Sequence, residues 1–117
     1  MKLVRVYTGP DEESHVERLD FDLTERDGTR TSIQDASGVS CAQRAAGSFS
    51  DFHNAPRRQY VLYLTASVEV GLGDGSSVVM EPGDVLLEED ATGRGHSSRV
   101  LIDGMCAFIP LGDESPV

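Results

Sequence analysis

The chain has no hydrophobic run that approaches the length of a bilayer span, so no transmembrane helix is expected. Its first residues, Met1-Lys-Leu-Val-Arg-Val-Tyr7, lack an apolar stretch of signal-peptide length, and a cytoplasmic protein is expected. Cysteine is scarce. Cys41 and Cys106 stand alone, without the paired spacing of a zinc or redox motif. Two thiols permit one disulfide, but nothing implies secretion, so both are expected reduced. Cys106 lies in an apolar run and reads as a small core residue. Positive charge is short as well: 10 Lys and Arg stand against 20 Asp and Glu, for a net charge of −10. Such a surface repels phosphate backbones and anionic lipid headgroups, so neither nucleic acid nor a membrane is an expected partner. The plain consequence of the charge is solubility.

Long helical patterns are missing too, whereas turn formers are not. The 117 residues include 12 Gly and 5 Pro, which favours many turns and an all-β layout. That length fits one domain, with a core that needs no covalent staples.

Strand signals begin at once. Lys2–Tyr7 places Leu3, Arg5 and Tyr7 on one side and Val4 and Val6 on the other. Thr8-Gly-Pro-Asp-Glu-Glu-Ser14 is a stop. Residues 14–23 fit two periods: Val16, Leu19 and Leu23 a short helix, Phe21 and Leu23 a strand. Residues 24–48 are polar and read as irregular, with one short strand over Thr31–Ile33. From Gln59 the pattern sharpens. Tyr60-Val-Leu-Tyr-Leu64 is β-branched and aromatic, Val68-Glu-Val-Gly-Leu72 alternates, and Gly73-Asp74-Gly75 signals a hairpin into Ser77–Met80. Glu81-Pro-Gly-Asp84 turns into the apolar Val85-Leu-Leu87. An acidic, glycine-bearing loop over 88–95 leads to strands at His96–Ile102 and Met105–Leu111, split by Asp103-Gly104. So many short, evenly spaced strands imply a sandwich or barrel.

Two stretches carry candidate chemistry: Gly47-Ser-Phe-Ser-Asp-Phe-His53-Asn-Ala-Pro-Arg-Arg-Gln59, and Gly93-Arg-Gly-His96. Together with the hairpin and Pro-Gly-Asp-Val-Leu-Leu87 they resemble the small single-domain cupins, which are double-stranded β-helix barrels of the jelly-roll type. The family's first motif falls on Gly47, His53, Ala55, Gln59 and Ala66; its second begins at Gly83 and ends at His96, with a loop two residues longer than usual. The resemblance covers roughly residues 47–111. It implies that 1–46 supply a strand and an irregular segment completing the barrel; the terminal residues 112–117 are expected to form a loose tail.

A full cupin site uses three His and one Glu. Here Ala55 and Gln59 replace two of them, so the resemblance carries over His53, Gln59 and His96 as ligands of a divalent transition metal such as Fe, Mn, Ni or Zn. Positions 53, 55, 57 and 59 share strand parity and are expected to face the interior. Arg57 would then grip an anionic substrate bidentately, or pair with Glu88, Glu89 or Asp90. Tyr63 shares the inward face and is a candidate proton donor, or simply a packing residue. Asp51 is a candidate third ligand or orienter of His53. Glu89 and Asp90 are candidate bases at the barrel mouth, although Glu88-Glu-Asp90 also reads as a solvated loop. Arg58 and His15 are expected at the surface.

The function expected from the resemblance is metal-dependent lyase, isomerase or dioxygenase chemistry on a small organic molecule. Two alternatives keep the pocket. One is a metal-free isomerase, cyclase or dehydratase using histidine acid–base chemistry; the other is a non-catalytic metabolite binder. An open edge on the leading strand suggests pairing into a homodimer.

Overall fold

The structure is a computed structural model and describes residues 1–112, so residues 113–117 of the expected tail lie outside the described residues. Ten strands form: β1 (Leu3–Thr8), β2 (Ser14–Leu19), β3 (Ser40–Arg44), β4 (Phe49–His53), β5 (Gln59–Tyr63), β6 (Ser67–Gly71), β7 (Ser77–Met80), β8 (Val85–Glu88), β9 (His96–Ile102) and β10 (Gly104–Pro110). No described residue is helical, and no helix is long and apolar enough to cross a membrane. A six-stranded sheet runs β2-β1-β8-β5-β10-β3 and a four-stranded sheet runs β4-β9-β6-β7. The pairing of β1 with β8 is parallel, and the other ladders are antiparallel.

The core lies between the sheets. Val4, Val6, Val61, Tyr63, Leu86 and Cys106 from one sheet pack with Val68, Val70, Met80 and Val100 from the other. These are the alternate residues of their strands, so the period-two pattern decides which face is buried. Each fully buried aliphatic side chain contributes roughly 1.5–3 kcal/mol of transfer free energy. The opposite face of the larger sheet carries a second cluster, with Leu3, Tyr60, Val85 and Leu87 all buried. The β6–β7 hairpin is closed by Gly75, whose φ of +88° suits a residue without a Cβ. Asp74 supports the turn by accepting from the Ser76 amide at 2.9 Å.

Three expectations from the sequence need correction. The sheets do not close into a barrel; no ladder joins them among the described residues, and β2, β3, β4 and β7 remain edges. Thr31–Ile33 is not a strand. Ile33 is 97% exposed and finds no core face to join. The strand in that region is β3, which pairs with β10 while most of its side chains stay exposed, so it carries no apolar alternation. Finally, β1 is not an open edge. It lies between β2 and β8, and the premise for pairing through it is gone. The ambiguous stretch after Ser14 is a strand, held in full register against β1 from Thr8↔Ser14 to Leu3↔Leu19.

Cys41 is exposed, Cys106 is buried in the core, and neither forms a disulfide.

Candidate functional site

Two cross-strand pairs bring polar side chains into the gap at one end of the sandwich. On the larger sheet, Gln59 of β5 pairs with Glu88 of β8. They keep the parity of Val61 and Leu86, so they face the other sheet and are 5% exposed each. On the smaller sheet, His53 of β4 pairs with His96 of β9. His96 keeps the parity of core Val100 and is 3% exposed. His53, on the edge strand, is exposed. The two imidazole rings lie 4.7 Å apart between centroids, tilted by 56°.

Glycines make this approach feasible. Gly95 has φ +81°, and a Cβ there would sit 2.0 Å from the carbonyl oxygen of His53. The backbone of the Gly93–His96 turn therefore lies directly on β4. Asn54 ties the same turn down, donating from Nδ2 to the carbonyls of Thr92 at 2.9 Å and Gly93 at 2.8 Å. The Ala55 amide donates to the Asp90 carbonyl at 3.1 Å.

Asp90 is the centre of the arrangement and is fully buried. Its Oδ2 accepts from Ser14 Oγ at 2.7 Å and lies 2.6 Å from His96 Nδ1. Its Oδ1 is buried without a hydrogen-bond partner among the described residues. Glu88 accepts from Gln59 Nε2 at 3.1 Å, and its other oxygen lies 3.6 Å from His96 Nε2. That last distance is too long for a hydrogen bond but suits two atoms sharing a third. Ligand atoms of Glu88, Asp90 and His96 all fall within 4.8 Å of one another, so this buried group can hold a metal ion.

Burial raises the pKa of Glu88, with Asp90 adding to the rise; His96, Gln59 and His53 oppose it without cancelling it. For His96 burial acts downward, but the hydrogen bond and charge of Asp90, aided by Glu88, outweigh it and the pKa is raised. Both shifts have one consequence for stability. A group with a raised folded-state pKa stabilises most below its unfolded value and loses that contribution as pH rises through the folded value. The ion-free protein is therefore expected to lose stability as pH climbs, the Glu88 contribution fading above the ordinary carboxylate value of about 4.5 and the His96 contribution above the ordinary histidine value of about 6.5. Thermal melts across that range should show the decline in wild type and a shallower one in His96→Gln. Parallel profiles for the two proteins would refute the assignment.

Sequence-predicted residues divide among three places. His53, Gln59 and His96 meet at the end of the sandwich, but the carboxylate beside them is Glu88, and Gln59 bonds to it. Tyr63 is 4% exposed within the hydrophobic core, where burial first and Glu88 second push its pKa well above 10. Arg57 does not point inward. It is exposed and lines a hollow with Arg5, Arg58 and Glu89. The loop between β4 and β5 breaks the strand alternation that would have turned it in. Glu88 and Asp90 are not a solvated loop; only Glu89 between them faces outward, bonded to Arg58 at 2.6 Å. That bond leaves the Arg58 side chain 13% exposed, contrary to the surface position expected for it. Asp51 acts through its main chain, its carbonyl accepting from His53 Nδ1 at 2.8 Å. His15 is half-exposed and pairs with Asp11 at 3.0 Å. The sequence pattern does not mark Ser14 or Glu88 as site residues. Counting alternate positions onward from core Leu86 would have turned both 88 and 90 inward.

Comparison with protein-family models and with curated proteins finds no match.

Proposed function

We propose that this chain is a cupin-type jelly roll that holds a divalent transition ion between its sheets and acts there on a small organic molecule. The observation that carries this reading is the meeting of the Gln59–Glu88 and His53–His96 pairs around buried Asp90. The donor set supports the ion. Imidazole with carboxylate, and no thiolate in the group, suits Mn, Fe, Ni or Zn. Asp90 Oδ1, buried and unpaired, is the kind of atom a cation satisfies. Each imidazole also spends Nδ1 on an acceptor, Asp51 O for His53 and Asp90 Oδ2 for His96. Neutral rings bonded in this way carry their lone pairs on Nε2, which is how outer partners orient metal-binding histidines.

Glu88 and His96 would hold the ion, with His53 beside them, and Asp90 would serve either as a further ligand or, through Nδ1, as the orienter of His96. Such an ion supplies Lewis-acid polarisation or redox chemistry. The chain's own residues do the rest. Gln59 orients the Glu88 carboxylate. Asp90 keeps a proton on His96 Nδ1. His53, exposed on the edge strand, marks the side from which a small molecule arrives and can take or give a proton at Nε2. Lyase, isomerase or dioxygenase chemistry follows from the family resemblance.

The test is a titration of metal-stripped protein with Co(II), read by absorption and calorimetry. Wild type is expected to bind stoichiometrically and Glu88→Gln to bind far more weakly. Wild type that takes up no ion would end the metal reading. The short contact of 2.6 Å between Asp90 and His96 would then favour the metal-free alternative, with His96 as acid–base group.

A further inference from the structure

Strand alternation sends Glu89 to the opposite face from its neighbours Glu88 and Asp90, and there it meets two arginines. Its carboxylate accepts from Arg5 Nε and from Arg58 Nε. Burial would raise its pKa, but the bonds and charges of both guanidinium groups outweigh that and lower it, so Glu89 stays ionised. Arg5 is further held by Glu17 at 2.8 Å and lies 4.2 Å over the Tyr7 ring. Arg58 is held by the carbonyl of Gly112 at 2.8 Å. Both planar forks are thus locked in place, and neither Nη2 is engaged in a hydrogen bond among the described residues. Arg57 stands on the same rim, exposed and in no ion pair among the described residues.

These residues line a hollow of about 460 Å³, a volume within the range of small-molecule sites. Three guanidinium groups line it against one carboxylate, in a chain of net charge −10. Even with Glu17 counted, the local sum remains positive. Arg5 and Arg58 each keep one Nη2 donor in a fixed orientation, and with the unpaired fork of Arg57 they suit an oxyanion that accepts from several guanidinium groups at once.

We propose that this hollow is a binding site for a small anion carrying a carboxylate or phosphate group, separate from the cluster around Asp90. Arg5 and Arg58 offer the anion fixed donors, and Arg57 closes on it from the rim. The reading does not depend on any ion between the sheets.

The experiment is an amide NMR titration of the intact chain with inorganic phosphate and, separately, malonate, each against sodium chloride at matched ionic strength. Saturable shifts are expected at Arg57, Arg58, Ala91 and Thr92 with at least one oxyanion, and none with chloride. The preferred arm tells a phosphate ligand from a dicarboxylate. Arg57 is exposed, so Arg57→Gln should leave the spectrum folded while weakening binding by about tenfold, the equivalent of about 1.4 kcal/mol. Arg57→Lys should recover only part of this, because it keeps the charge and loses the fork. Shifts that never saturate, that chloride reproduces, or that Arg57→Gln leaves unchanged would overturn the proposal.

Discussion

His96→Ala is expected to abolish tight binding of a divalent transition ion while the sandwich stays folded. The imidazole is buried, and its Nε2 lies 3.6 Å from a Glu88 oxygen, so its loss removes the one buried nitrogen donor of the group. The loss should exceed the roughly 10–100-fold that removal of an outer partner costs. Asp90→Asn separates two roles for the aspartate. If Asp90 only orients His96 through Nδ1, affinity should fall within that roughly 10–100-fold range; a loss as deep as that of His96→Ala makes it a direct ligand. Calorimetry on the two variants beside wild type reads both outcomes. Stoichiometric ion retained by His96→Ala would remove the histidine from the site and with it the metal-dependent reading.

Gly95→Ala is expected to be the most damaging single-methyl addition near the site. A Cβ at this position would lie 2.0 Å from the His53 carbonyl oxygen and 2.3 Å from its carbon, and backbone cannot swing aside as a side chain can. The left-handed φ of +81° adds about 1–2 kcal/mol for a residue with a Cβ. Relieving the clash costs a further roughly 1–3 kcal/mol, by moving β4 off β9. Gly83→Ala is the control. It shares a positive φ, +93°, but has nothing within 4 Å of its Cβ, so only the conformational part should appear. Urea unfolding of the pair should show Gly95→Ala clearly the weaker, with ion binding lost along with the His53–His96 contact. Equal destabilisation would mean that the turn does not rest on β4 as described.

How much could be read beforehand depended on where each side chain ends. Strands β5 to β9 were legible because Val61, Val68, Val70, Leu86 and Val100 repeat with the pleat and all reach the core. Strand β3 was not, because Ser40–Arg44 contributes main-chain bonds to β10 while its side chains stay mostly outside. In the candidate site, His53 and His96 were singled out by the resemblance to the cupin motifs, and the structure brings their rings to 4.7 Å. Glu88 and Asp90 were harder. A run of three acids ordinarily signals solvent, and its burial is decided by the facing sheet, which brings His96 to Asp90 and Glu88. Ser14 carried no signal at all. Its hydroxyl matters only because β2 folds back along β1 and delivers it to a carboxylate 76 positions away.

The parallel register of Leu3 with Val85 and Val6 with Glu88 has a consequence for synthesis. Strand β1 is an interior member of its sheet, yet of its two neighbours only β2 follows it directly, while β8 is made much later. Until β8 emerges, the N-terminal hairpin has one unzipped flank and nothing to lie on. Assembly of this sheet must therefore wait for β8, and a topology so rich in distant pairings belongs among those that mature in milliseconds to seconds rather than microseconds.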